Sequence, residues 1–574
     1  MHLRNLKNIV YIIISQYTKN TFKTTKILQK IEKTGIITNI IFVLIINMLL
    51  NDNNFKKMRG KYMLARVKSA GILGIKGINI LVEVDLARGL PSFDIVGLAD
   101  KAVRESRKRV KAAINNSDYK FPIKKITINL APADIKKIGP HFDLAIATGV
   151  LASSEYIHIK QIDNHLILGE LSLNGEVRGV KGILPMVIDA RRNGIEGIII
   201  PRENAVEARL VEGIEVIPVN HLRDVVNYFN TGQIPVADKN IDISENKATN
   251  EVNTYNIDFS DIKGQYEAKR ALEIAAAGAH NLIMVGPPGS GKTMLARRLR
   301  TILPPLSHHE KLELTKLYSI MGLIASKKGL ITERPFRAPH HNITESGLIG
   351  GGRIPEPGEV SLAHNGTLFL DEIPEYKRNI LELLRQPLEE GAVTIARASM
   401  TVKFPSNFML IAAMNPCPCG YYGDDRHECR CTVRQINNYL NKISGPLLDR
   451  IDLQIVVPAL EVKEITGRGD GESSSIIRER VVLAYEKQRE RYRKEVFSFN
   501  SQLRGSKLHK YCSIDDSSKI FLENAVEELG VSARGYDRIL RMARTIADLD
   551  QSDKINEEQI AEAIQYRGLN RMLR

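Results

Sequence analysis

Asn281-Leu-Ile-Met-Val285 is a short apolar run of strand length, and it leads directly into Gly286-Pro287-Pro288-Gly289-Ser290-Gly291-Lys292-Thr293. This second stretch fills every position of G-x-x-x-x-G-K-[ST]. An amphipathic helix is predicted next, with Leu295, Leu299 and Ile302 on one side. Strand, glycine-rich loop and helix in that order predict a phosphate-binding P-loop. The glycines let backbone N–H groups converge on phosphate oxygens, and the helix N-terminus adds a favourable dipole. Lys292 is expected to reach the β- and γ-phosphates and Thr293 to ligate Mg²⁺, so ATP and Mg²⁺ are the expected ligands.

Gly366-Thr-Leu-Phe-Leu-Asp371-Glu372 reads as a second buried strand ending in two acids. Asp371 suits a place beside the metal, and Glu372 suits the base that orients attacking water. A third apolar run, Phe408-Met-Leu-Ile-Ala-Ala-Met414, ends at Asn415, which can sense the γ-phosphate from an adjacent strand tip. Three strands with polar ends at one edge predict an α/β fold built on a doubly wound parallel sheet. In Gly445-Pro-Leu-Leu-Asp449-Arg450-Ile-Asp452, Arg450 is a candidate finger acting on a neighbouring subunit's nucleotide, the alternative being a salt bridge to Asp449 or Asp452. Near the C-terminus, Arg534, Arg538 and Arg541 fall within about 60° of arc on one predicted helix. Tyr536, Ile539, Leu540, Ala543 and Ile546 lie opposite, which predicts a packed helix with one basic face. A lid helix over ATP needs one such arginine.

Further stretches are longer and more specific. They are Pro335-Phe-Arg-Ala-Pro-His-His341, Gly350-Gly-Gly-Arg353, Pro357-Gly-Glu-Val-Ser-Leu-Ala-His364, Arg385-Gln-Pro-Leu-Glu389 and Met414-Asn-Pro-Cys-Pro-Cys-Gly420. With the P-loop they resemble the ComM/YifB family, a magnesium-chelatase-like branch of the AAA+ ATPases, from Met63 to the C-terminus. The resemblance implies sensor 1 at Asn415, the arginine finger at Arg450 and sensor 2 at Arg534, with Arg538 as the alternative. It also implies a homo-oligomer, a hexameric ring, acting as a motor on branched or single-stranded DNA, with branch migration in recombination and natural transformation. In that branch, inserted segments present loops to the ring pore. Residues 325–362, with Arg334, Arg337, His340, His341 and Arg353, fit one insert, and the paired histidines read as part of a polar loop rather than as metal ligands. Glu390-Gly391, before Val393–Arg397, fits the turn of a hairpin.

Residues 63–230 resemble the Lon-type proteases and ribosomal protein S5. The stretch Gly139-Pro-His141 resembles their Gly-Pro-Ser loop, and Gly169–Arg178 and Ile198–Asn204 resemble the strands that follow it. A Ser–Lys dyad needs a hydroxyl beside an amine of lowered pKa. His141 stands at the serine position and Leu184 at the lysine position, so a protease is not expected. The domain reads instead as a DNA-binding or ring-organising module. Arg104, Arg107, Lys108, Arg109 and Lys111 form a basic cluster that suits phosphate or a solvated helix face equally.

Four of the five cysteines lie at 417, 419, 429 and 431. A nucleotide site without secretory features predicts a reducing cytoplasm, which disfavours disulfides. Cys417, Cys419, Cys429 and Cys431 are therefore a candidate structural Zn²⁺ site, although C-x-C is tighter than the usual C-x₂₋₄-C. Reduced thiols and redox chemistry are the competing readings.

The 574 residues allow three or four domains at roughly 100–200 residues each. The composition excludes collagen-like, disulfide-stapled and disordered classes. The net charge of +15 first suggests nucleic acid, but residues 1–62 carry +9 of it and the rest only +6. Ile, Asn and Lys fill 29 of those 62 positions, which reads as A/T-rich upstream DNA with Met63 as the expected start. The other reading is a membrane-associating leader. Its apolar stretch is short of the about 20 residues a spanning helix needs, and no membrane contact is expected for 63–574. The expected order is leader 1–62, S5/Lon-like domain 63–230, linker 231–256, ATPase core 257–460 and helical lid 476–574. Ile257–Gln265 resembles the opening motif near adenine. A metal-chelatase motor subunit and a protein-remodelling ATPase are the competing functions.

Overall fold

The computed structural model describes residues 64–158, 162–234, 257–324, 329–397, 400–460 and 471–567. The leader, Met63 and residues 235–256 of the linker lie outside them.

The amino-terminal part is a seven-stranded mixed sheet. Its spatial order is Ser92–Val96, Lys125–Ala131, Lys76–Ala87, Leu64–Leu73, His165–Ile167, Gly197–Pro201, Glu215–Val219. The first two strands in the chain form a long antiparallel hairpin, and alternation buries Ala65 and Val67 while Leu64 and Arg66 face out. Helices Lys101–Asn116 and Asp143–Ser153 cover one face through Val103, Val110, Leu144 and Val150. Helix Ile183–Arg192 covers the other through Ile183, Met186 and Val187.

The second sheet has five strands in the order Phe336–Arg337, Thr367–Leu370, Met409–Met414, Leu282–Val285, Leu453–Val456. Every neighbouring pair is parallel. The middle three strands are buried at every position, as expected for a parallel sheet covered on both faces. After the glycine-rich loop, helix Lys292–Arg298 tightens into a 3₁₀ turn at Leu299–Thr301, and Leu295, Leu299 and Ile302 are all buried.

Five helices close the described chain: Ser474–Arg491, Ser506–Tyr511, Asp516–Leu529, Ala533–Leu549 and Glu557–Gln565. Ala533–Leu549 packs with Tyr266–Gly278 and Ser474–Arg491, so Ile539, Met542 and Ile546 share one core with Leu272, Leu282 and Leu453. Its basic side is not a solvated face. Arg538, Arg541 and Arg544 are buried, because acids meet them there: Asp452 for the first two and Asp548 for the third.

Helix His308–Met321 joins the two halves. It starts in a Ser307–Glu310 capping box. At its far end the Gly182 N–H donates to the Ser319 carbonyl at 2.9 Å, and the Ser319 hydroxyl donates to Glu207. Glu207 also accepts the Leu184 N–H at 2.9 Å, and burial raises its carboxyl.

Two local expectations need correction. Glu390-Gly391 does not turn a hairpin. Arg385–Glu390 is helical and Gly391 caps it at φ 62°, in the left-handed region where glycine is favoured. The hairpin pairs Ala392–Arg397 with Met400–Pro405, both beyond Gly391. Arg334 and Arg337 are not loop cations. Arg334 pairs with Glu310 at 3.1 Å and Arg337 with Glu359 at 2.6 Å, and Phe336–Arg337 is itself the sheet's edge strand. His340 and His341 follow it with their ring centroids 4.1 Å apart, and the Arg353 stretch continues into a two-stranded ribbon, Gly350–Gly351 with Glu356–Pro357.

Candidate active site

At the carboxyl edge of the parallel sheet the backbone turns out of Val285 into the glycine-rich loop. The Gly286 N–H donates to the Met414 carbonyl at 3.2 Å, and the Val457 carbonyl packs where a side chain would sit. Gly289 and Gly291 hold φ of 78° and 88°, a conformation that favours glycine. Pro287 and Pro288 stiffen the loop between them, and Ser290 is buried beneath it.

Lys292 opens the helix, and its ammonium donates to Gly286 O at 2.8 Å, Pro287 O at 2.9 Å, Ser290 Oγ at 3.3 Å and Asn415 Oδ1 at 3.3 Å. Burial pushes that ammonium down to about 8, against the opposing pull of Asp371 and Glu372. Thr293 Oγ1 donates to Asp371 Oδ2 at 2.7 Å. Glu372 is exposed at φ 50°, a left-handed conformation that costs a non-glycine residue about 1–2 kcal/mol, and strain of this kind collects at functional sites. The structure thus gathers Gly286–Thr293, Asp371, Glu372 and Asn415 at one edge. It adds Gln265, whose amide donates to Ser290 O at 2.5 Å. In sequence Gln265 was only the last residue of the opening motif.

These residues fit a magnesium nucleotide. A buried cation held by three oxygens of its own loop and by Asn415 Oδ1 can exchange them for phosphate oxygens. Thr293 and Asp371 present hard oxygen ligands side by side, as Mg²⁺ requires.

Arg450 and Arg534 are elsewhere. Asn281, Gly366, Phe408 and Asp452 stand at the amino ends of the same strands, where they line a cleft of about 790 Å³. Arg450, Arg534, Arg538 and Arg541 line it too. Arg450 pairs with Glu389 and donates to Pro446 O at 2.6 Å; neither Asp449 nor Asp452 is its partner. Asp452 is instead taken by Arg538 at 3.4 Å and Arg541 at 3.8 Å, with His280 Nδ1 at 3.4 Å. Burial alone would raise the Asp452 carboxyl, but the His280 hydrogen bond and the two guanidinium groups hold it far below the carboxylate range. Burial lowers Arg538 to about 10. Arg450 Nε and Arg538 Nη1 are buried without a hydrogen-bond partner among the described residues.

The structure places Arg534 away from the chain's own P-loop. Arg534 is exposed at the amino edge, because Asp452 and the 2.7 Å His280–Thr545 contact draw helix Ala533–Leu549 to that end of the strands.

Cys417, Cys419, Cys429 and Cys431 follow Asn415 directly, with all four sulfurs within 4.8 Å of one another. In the amino-terminal half, His141 is buried, and burial lowers its ring to about 4; Leu184 is buried in the adjoining core. Of the basic cluster, Arg109 turns inward to Asp143 at 2.6 Å, while Arg104, Arg107, Lys108 and Lys111 are exposed.

A P-loop on a five-stranded parallel sheet, followed by a helical lid, defines an AAA+-type ATPase. The family described as magnesium chelatase, subunit ChlI, matches residues 258–465; its related ChlI descriptions match 82–204 and, for the C-terminal part, 471–567. The chain is 43% identical over 514 residues to the competence protein ComM of Haemophilus influenzae, covering 89% of this chain and 98% of that protein. It is 41% identical over 513 residues to YifB of Escherichia coli, again covering 89% and 98%. Lon protease 2 of Bacillus subtilis is 30% identical over 172 residues, 26% of this chain and 29% of that protein. The chain belongs to the ComM/YifB family of magnesium-chelatase-like AAA+ proteins. Its fold class is accordingly a P-loop AAA+ core with a helical lid, preceded by a Lon-like α/β domain. Among the described residues, no helix is long and apolar enough to cross a membrane.

Proposed function

We propose that this chain is a Mg²⁺-dependent ATPase that works as a ring, a hexamer by family resemblance, and moves branched DNA. One observation supports the ring: the P-loop residues and the candidate arginines stand at opposite edges of the same sheet. The carboxyl edge has the P-loop and both acids. The amino edge has an arginine cleft with two buried guanidinium nitrogens unpartnered among the described residues. A buried cation without full pairing is costly, and an incoming anion relieves that cost. The γ-phosphate of a neighbouring subunit's nucleotide is such an anion.

In this reading Lys292 and the loop amides bind phosphate, and Asn415 keeps Lys292 oriented. Thr293 and Asp371 would hold Mg²⁺, which supplies neutralisation of phosphate charge. Glu372 accepts the proton of the attacking water. Arg450 and one of Arg534 or Arg538 stabilise the neighbour's transition state, a contribution of about 10³–10⁵ in rate where such a finger operates.

DNA as the partner is supported by the family resemblance and by the competence role named for the H. influenzae relative. The exposed Arg104, Arg107, Lys108 and Lys111 suit phosphate contact. The test is the ATPase rate with no DNA, duplex and a four-way junction at low salt, since phosphate contacts weaken with salt. Stimulation by the junction is expected. An unresponsive rate would sink the DNA motor and favour a protein-remodelling or chelatase-type partner.

A further inference from the structure

The loop between strand Met409–Met414 and helix Val433–Leu440 brings four thiols together without bonding them to each other. Cys417 Sγ lies 3.3 Å from Cys419 Sγ and 3.7 Å from Cys429 Sγ, and Cys419 Sγ lies 3.6 Å from Cys429 Sγ. An S–S bond of about 2.05 Å is excluded at those separations. Four sulfurs each about 2.3 Å from one centre would stand about 3.8 Å apart at the corners of a tetrahedron. The short Cys-x-Cys spacing works because the chain reverses at Gly420, at φ 89°. The Gly420 N–H donates back to Cys417 Sγ at 3.2 Å, the kind of backbone contact that orients a metal-bound thiolate.

The same loop rests on the nucleotide site. A Cβ on Gly420 would stand 2.6 Å from Pro288 Cδ and 3.9 Å from Asn415 Cγ, so the loop backbone lies directly against the P-loop. Six residues further along the loop, Arg426 donates to Leu460 O at 2.7 Å and Ala459 O at 3.4 Å. The segment between the two cysteine pairs therefore carries two anchors, Gly420 on the P-loop and Arg426 beyond strand Leu453–Val456.

We propose that Cys417, Cys419, Cys429 and Cys431 bind one Zn²⁺ as thiolates, and that the ion clamps this loop onto Pro288 and Asn415 so that metal occupancy sets nucleotide affinity. The clamp rests on the P-loop reading above; the metal site does not. Binding exchanges four S–H bonds for four Zn–S bonds and releases up to four protons to solvent, with no change of oxidation state.

Full-length protein purified without chelator should carry about one zinc per chain. Replacing it with Co²⁺ should give the sulfur-to-metal charge-transfer and ligand-field bands of a tetrahedral tetrathiolate. Both should vanish in a Cys429→Ser/Cys431→Ser variant. A fluorescent ATP analogue should bind about tenfold more weakly after zinc extraction, as when only about a tenth of molecules keep the competent loop, and re-added Zn²⁺ should restore it. Gly420→Val keeps all four thiols, so it should hold zinc yet bind the analogue more weakly. Zinc well below one per chain, together with no tetrathiolate spectrum, overturns the site. Unchanged nucleotide affinity in zinc-stripped protein or in Gly420→Val overturns the clamp. Zinc-loaded protein that binds no ATP analogue overturns the P-loop reading and the clamp together, while its zinc content still supports the site.

Discussion

Lys292 carries its charge in a buried place, and burial loosens its proton to about 8. Bound phosphate favours the charged form, so the ammonium's pKa rises on binding. Below about pH 8 the free protein already holds the proton, and affinity should not depend on this group. Above it, binding must take up a proton, and ATP affinity should fall by up to about tenfold per pH unit. Calorimetry in buffers of different ionisation enthalpy measures that uptake; no uptake near pH 9 would place the phosphate away from Lys292. Glu372→Gln should bind ATP normally and lower kcat by about 10²–10⁴, and undiminished turnover would move the base elsewhere. Most residues at this edge were legible in the sequence because one contiguous motif and two strand tips carry them. Gln265 was not, since its contact with Ser290 depends on a left-handed turn at φ 50° that no pattern announces.

Helix Ala533–Leu549 shows where spacing stops being informative. Its period placed Ile539, Leu540, Ala543 and Ile546 on one packed side, and they are buried. The opposite side is buried as well, because Asp452, far away in the chain, meets Arg538 and Arg541 inside the cleft. Helical periodicity carries no information about such a partner. Asp452→Ala should leave two buried guanidinium groups without a counter-charge and cost about 3–5 kcal/mol in chemical denaturation. Arg534→Ala, on the exposed start of the same helix, should stay within about 0.5 kcal/mol. Equal costs for the two would show that the pairing at Asp452 does not hold the lid. Gly391 teaches a similar lesson: turn residues mark a chain reversal, but a helix end and a hairpin use the same glycine, and only the preceding helix Arg385–Glu390 decides which.

At the scale of the molecule, the two proposed half-sites make complementation a sharp test. Lys292→Ala removes the phosphate half and Arg450→Ala the arginine half. Mixed together, the two chains should regain ATPase activity that neither has alone, because an intact P-loop can then face an intact cleft. A mixture no more active than its components would return the arginines to their own chain. The parallel sheet and its P-loop were legible from three apolar runs with polar ends, whereas the placement of the lid was not. That placement has a further consequence. A contact that joins one edge of a subunit to the opposite edge of the next is heterologous, so no two-fold axis can satisfy it; it closes into a cycle or runs on as a fibre. In a closed cycle every subunit points the same way around, leaving the upper and lower faces chemically distinct. A strand threaded through such an assembly would meet one face before the other, and direction would be built into the object before any ATP is hydrolysed.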